Sequence, residues 1–168
     1  HAEPGFLDAW RRYDIALRHR NAALRAGSAN RTVDAWDGEL AVAATFLDQR
    51  RETFCKALGM TLEPLVAETL GMDRVQVNYR RGWPVEPSTQ GFADWLRDGR
   101  DQDRRQGYTR IGPHRADFML RIAERPLAEA LSRGQQKLLV IALVLAQAEL
   151  YMLHTGDFCV LLVDDLPA

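Results

Sequence analysis

A chain of 168 residues that is 46% hydrophobic and 27% charged has apolar material for one core, or a small core with an appendage, and is not disordered in composition. Its formal net charge of −1 supplies no global attraction to nucleic acid or an anionic membrane, so any binding to polyanions has to come from local patches. The two cysteines, Cys55 and Cys159, stand far apart, which excludes a disulfide-rich scaffold and fits a reduced, intracellular protein. No apolar stretch is expected to reach the roughly 20 residues that cross a bilayer, and the first residues, His1-Ala2-Glu3-Pro4, carry no signal-peptide pattern. With no initiator methionine and a stop soon after a double aspartate, both ends are expected to be cut.

The first third predicts a helical hairpin. Phe6, Trp10, Tyr13, Leu17 and Leu24 follow the spacing of one helix face, and Gly27-Ser28-Ala29-Asn30 supplies a stop. A second helix starts near Asp34, with Trp36, Leu40, Leu47, Phe54 and Leu58 on its apolar face and Gly71 at its end; Pro64 is expected to kink or divide it. Two helices joined by a short polar loop run antiparallel, and Trp10, Tyr13, Trp36 and Phe54 are expected in their shared core.

The period then changes. Val75, Val77 and Tyr79 alternate with polar residues, which predicts a strand ended by Gly82-Trp83-Pro84. Phe92, Trp95 and Leu96 predict a short amphipathic helix continued by the polar run from Arg97 to Gln106. Two strands, Tyr108 to Ile111 and Asp117 to Ile122, are expected around the turn Gly112-Pro113-His114-Arg115. Leu138, Leu139, Ile141, Ala142, Leu145 and Ala146 occupy nearly every side of a helix after Ser132, so it is expected to be buried against a sheet, and Phe158 to Val163 reads as an interior strand.

Two late segments carry chemistry. Leu131-Ser132-Arg133-Gly134-Gln135-Gln136-Lys137 opens a helix, and a serine hydroxyl with glycine amides at a helix N-terminus is suited to receive a phosphate; Ser132 equally makes an ordinary N-cap. Val160-Leu161-Leu162-Val163-Asp164-Asp165 delivers two carboxylates at the end of an apolar run, where an open sheet places its ligand, although aspartates also favour simple turns. A phosphate loop of the form G-x-x-x-x-G-K-[ST] is missing: Gly107 to Gly112 has the glycine spacing, but Pro113-His114 follows. Arg11, Arg18 and Arg25, seven apart, form a basic stripe beside the apolar face of the first helix. That stripe fits either phosphate contacts or a solvated flank. His114 and Arg115 fit a nucleotide or DNA face, or a plain charged turn. His19, His154 and the cysteines have no zinc-ligand spacing.

These segments resemble the signature loop and Walker B strand of ATP-binding-cassette ATPases. Together with Pro4 to Tyr13, Arg80-Arg81-Gly82-Trp83 and Gly112-Pro113-His114-Arg115-Ala116-Asp117, they resemble the RecF family of DNA recombination and repair ATPases along nearly the whole chain. The resemblance implies an α+β or α/β fold: an antiparallel helical hairpin arm over residues 1–73 and, over 74–168, the signature and Walker B part of an ABC-type, SMC-like head with a mixed sheet and a buried signature helix. It implies that Ser132, Arg133, Gly134, Gln135 and Lys137 contact ATP, that Asp164 holds Mg2+, and that Asp165 orients the attacking water in a slow ATPase. By their spacing and charge, and not from the resemblance, Arg11, Arg18, Arg25, His114 and Arg115 are the residues expected to contact DNA. The whole protein would be a cytoplasmic clamp of the SOS response on double-stranded or gapped DNA, dimerising around ATP and acting with RecO and RecR to load recombinase at gaps and stalled forks. The isolated chain is expected neither to bind nor to hydrolyse ATP. Two other readings remain: a stand-alone helical interaction module, and a metal-dependent hydrolase, disfavoured because two adjacent carboxylates hold Mg2+ weakly.

Overall fold

The computed structural model describes residues 5–85, 90–122 and 125–162. Its elements in chain order are α1 (Phe6–Arg25), α2 (Asn30–Leu70), β1 (Gln76–Arg80), α3 (Phe92–Asp98), α4 (Arg100–Gln106), a single 3-10 turn (Pro113–Arg115), β2 (Asp117–Ile122), β3 (Arg125–Pro126), α5 (Leu127–Ala130) and α6 (Arg133–Thr155). They form two compact units. The first takes the described residues up to Glu52 together with those from Arg80 to Asp117, and the second takes Thr53–Tyr79 together with the described residues from Phe118 onward. Helix α2 contributes to both.

In the first unit α1 and α2 form the expected hairpin. Gly27, at φ +64°, turns the chain, and the Ser28 amide donates to the Ala23 carbonyl at 3.0 Å. Leu24 packs with Val33 beside the loop, and Tyr13 and Ala16 pack with Leu40, Ala43, Ala44 and Leu47 farther away, which is the order antiparallel helices require. Phe92 and Leu96 of α3 complete this core. Trp10 and Trp36 are only half-buried at its edge, and Trp36 stacks on His19 with ring centres 4.6 Å apart. Phe54 is exposed, against expectation: the buried face of α2 passes through Cys55, Leu58, Leu62 and Val66, one position further round.

Pro64 does not divide α2. It and Met60, whose carbonyl it leaves without an amide partner, both lie on the exposed side, which is open to water. The polar run after α3 also differs from expectation. It breaks at Gly99 into two helices, and Arg100 and Asp103 of α4 are buried. Tyr108 to Ile111 is not a strand, because the Thr109 amide donates to the Asn21 side chain at 2.8 Å rather than to a neighbouring strand.

The second unit holds a three-stranded sheet in the order β1-β2-β3, with β2 and β3 antiparallel and Arg121 opposite Pro126. Its core joins Leu58, Leu62 and Val66 of α2 to Val75, Leu127, Leu131 and the α6 residues Leu139, Ala142 and Ala146. Helix α6 is therefore buried on one face and not on nearly every side: Val140, Val144, Leu145 and Leu153 are exposed, since the described elements cover a single stripe of it. By length and composition alone α6 is apolar enough to cross a membrane, contrary to the sequence expectation, yet its inner stripe packs in this core. Residues 157–162 form no strand, Phe158, Val160 and Leu162 are exposed, and Cys159 is only half-buried. An interior strand needs a neighbour on each side, and among the described residues the sheet has no strand beyond β1 to β3.

Candidate nucleotide and nucleic-acid sites

The signature segment is a built helix start. Ser132 caps α6 in extended geometry, its Oγ accepting from the Gln135 amide at 3.3 Å, while Gln135 Oε1 accepts from the Ser132 amide at 2.9 Å. This reciprocal box leaves the Ser132 hydroxyl hydrogen still able to donate. Leu131, just before it, is buried in the core and fixes where the turn stands. Ser132, Arg133 and Gly134 are exposed, and a side chain added at Gly134 would meet nothing within 4 Å. Arg133 and Gly134 occupy the first turn, whose amides an α-helix leaves without internal acceptors. The turn thus presents donors and the positive end of the helix dipole to whatever approaches from outside. Gln135 is half-buried and Lys137 exposed on the same turn. Asp164 and Asp165 lie outside the described residues.

The glycines of the Gly107 to Gly112 segment serve other purposes than cradling phosphate. Gly107, at φ +75°, ends α4 with its amide donating to the Asp103 carbonyl at 2.8 Å. Gly112 faces Tyr13, whose hydroxyl oxygen a Cβ there would overlap.

His114 is tied into the hairpin. Its Nε2 lies 3.1 Å from the Thr109 carbonyl and its Nδ1 2.6 Å from the Tyr13 hydroxyl. A carbonyl only accepts, so in the neutral ring Nε2 carries the proton, Nδ1 accepts, and Tyr13 donates. Burial pushes the His114 pKa below its ordinary value, and the neighbouring Arg115 charge adds to that, against the opposing pull of the Thr109 carbonyl and Asp103. Burial likewise pushes the Tyr13 phenol upward, so it stays a donor. A histidine that is harder to protonate when folded makes the unfolded chain the better proton acceptor. Stability should therefore rise with pH between the lowered folded value and the ordinary 6.5, and fall as pH drops through that window. Urea midpoints taken across the window should lose this component in His114→Gln; an identical pH dependence in both proteins would contradict it.

The arginine stripe is exposed as its spacing predicts. Arg11 approaches Asp8 at 3.5 Å, Arg18 approaches Asp14 at 2.9 Å, and Arg25 donates to the Gly107 carbonyl at 3.2 Å. Arg115 is exposed above the Tyr108 ring.

Sequence reasoning missed the buried ionic cluster beneath the stripe. Arg20 is fully buried and donates through Nε to Asp37 at 2.5 Å, through Nη1 to Asp103 at 2.7 Å and to the Thr109 hydroxyl at 2.8 Å, and through Nη2 to the Leu96 carbonyl at 3.2 Å. Arg100 joins Asp37 at 2.7 Å and also pairs with Asp34, while Arg110 joins Asp103 at 2.9 Å. Thr109 passes its own hydroxyl proton to Asn21 at 2.8 Å. Three arginines thus meet three aspartates at the place where α1, α2, α3, α4 and the following loop converge. A signal existed: the apolar positions Phe92 and Leu96 continue at helical spacing into Arg100 and Asp103, and Arg20 lies two turns from Tyr13 on the same face.

A helical hairpin, a small sheet and a helix opened by Leu-Ser-x-Gly-Gln make this an α+β chain. Two solved structures of the recombination mediator protein RecF in the RecFOR pathway share this fold. The one with ATP has a TM-score of 0.87 at 20% identity, covering 97% of this chain and 46% of that one. The RecF-ATPrS structure has a TM-score of 0.84 at 19% identity, covering 94% and 45%. In sequence the chain is 43% identical to the DNA replication and repair protein RecF of Chromohalobacter salexigens, over all of this chain and 46% of that protein. It is 41% identical to RecF of Pseudomonas putida, over all of this chain and 45% of the relative, and 42% identical to RecF of Xanthomonas axonopodis pv. citri, over 99% and 45%. No family model matches the chain. The chain belongs to the RecF family, and it spans somewhat under half the length of the curated relatives it matches.

Proposed function

We propose that the chain contributes the signature side of an ATP-dependent DNA-binding clamp in replication and recombinational repair, one that dimerises around ATP and acts with RecO and RecR in loading recombinase. The exposed, core-anchored helix start at Ser132-Arg133-Gly134 carries this reading, because it offers a hydroxyl and first-turn amides with no side chain in the way. Ser132 and Gly134 would receive a phosphate of ATP held by a second copy, with Arg133, Gln135 and Lys137 framing the same turn. Asp164 would hold Mg2+ and Asp165 would orient the attacking water. The stripe Arg11, Arg18 and Arg25 would follow a DNA backbone. The names of the relatives and of the two solved structures support DNA replication and repair, ATP and the RecFOR pathway as the setting.

Sedimentation of the intact protein with and without ATP tests this. Ser132→Arg should leave ATP affinity almost unchanged while abolishing the ATP-induced dimer, and Asp165→Asn should accumulate that dimer. Normal dimers in Ser132→Arg would reduce Ser132 to a helix cap and favour a stand-alone interaction module.

A further inference from the structure

Two chain segments cross at close range in the first unit. Gly82 has φ +89° and Gly112 φ +136°, and the Gly112 amide donates to the Gly82 carbonyl at 3.0 Å. A methyl group on Gly82 would overlap the Gly112 carbonyl oxygen and stand 2.7 Å from the Ala116 nitrogen and 2.8 Å from the Arg115 carbonyl carbon. Only glycine permits this approach. The crossing sets Arg80 and Arg81 on one segment against Arg115 on the other.

The three arginines are not equivalent. Arg81 is drawn inward by Asp48, itself buried, at 3.2 Å, and lies over the Trp83 ring at 5.5 Å, so its charge is already matched. Arg80 is 76% exposed and faces the exposed Asp117 at 3.9 Å, a pair too open to water to hold it firmly. Arg115 is exposed over the half-open ring of Tyr108. Two projecting guanidinium groups, one facing an exposed carboxylate and the other over an aromatic ring, match the chemistry of phosphodiester contacts.

We propose that Arg80 and Arg115 form a second DNA contact, separate from the α1 stripe, each taking a backbone phosphate. This rests on the DNA-binding reading above. The phosphates are those of a duplex backbone and not of a nucleotide, since side chains this exposed suit an extended polyanion.

Both side chains project into water, so the double variant Arg80→Gln/Arg115→Gln should keep its fold, checked by circular dichroism. In the intact protein its affinity for duplex DNA should fall, and the slope of log affinity against log salt should become shallower by about 2 units, the loss of two phosphate contacts. Arg80→Lys/Arg115→Lys should restore the slope, and ATP affinity should be unchanged throughout. If the parent protein binds DNA and the glutamine variant matches its slope, the patch assignment is wrong and the broader DNA reading survives. A parent protein that binds no DNA at low salt overturns both. Loss of ATP affinity with DNA binding intact gives these arginines to the nucleotide and overturns the proposal.

Discussion

Arg20→Met should destabilise the protein by about 3 to 5 kcal/mol, the cost of breaking a buried ion pair by removing one partner. The substitution keeps the volume of the side chain but leaves Asp37 and Asp103 with one arginine each, and it strips the Thr109 hydroxyl and the Leu96 carbonyl of their donor. Charge alone will not rescue it. Arg20→Lys should recover less than half of the loss, because one ammonium group cannot reach four acceptors spread around a planar fork. Arg18 supplies the internal control: its pair with Asp14 has side chains 70% and 48% exposed, so Arg18→Met should change the free energy of urea unfolding by no more than about 0.5 kcal/mol. Equal midpoints for Arg20→Met and Arg18→Met would mean that the cluster holds nothing together.

Gly82→Ala should cost about 2 to 5 kcal/mol, of which roughly 1 to 2 comes from a left-handed backbone and the rest from overlap. The added methyl would meet backbone atoms of Gly112, Ala116 and Arg115, which cannot swing away as a side chain can. Gly27→Ala separates the two terms: Gly27 has φ +64° but nothing within 4 Å of an added Cβ, so only the conformational cost of about 1 to 2 kcal/mol should appear there. Denaturant unfolding of both variants checks the difference. If the two glycines cost the same, the close crossing is not a constraint on the fold.

Much of the architecture was legible because it is local. The three-to-four spacing of Tyr13, Leu24, Leu40 and Leu47, with Gly27 between the two runs, is enough for an antiparallel hairpin. Ser132 and Gln135 spell a capping box three residues apart, and the structure forms it as both donors and both acceptors require. The stripe of Arg11, Arg18 and Arg25 follows from the helical period alone.

Other features depend on residues that meet only in three dimensions. Helical spacing puts Arg20 on the face of Tyr13 and Arg18 off it, but the Arg20 partners Asp103 and Thr109 lie 83 and 89 positions away and nothing local names them. His114 reads as a charged turn until Tyr13, 101 positions earlier, arrives at its Nδ1. The helix after Ser132 looks apolar all round, yet how much of it is buried depends on how many faces other elements cover, and the described elements cover one. The same holds for Phe158 to Leu162, where an apolar run becomes a strand only if neighbours stand beside it to complete the hydrogen bonds.

By itself, then, the sequence determined the helices α1, α2 and α6, the Ser132 cap, the strands β1 and β2, and the family, because propensity, periodicity and short motifs act over a few residues. The tertiary structure alone decided which charges were buried, which glycines had to be glycine, and which apolar faces stayed open. Those outcomes depend on distances between segments far apart in the chain, where desolvation and steric overlap outweigh local preference.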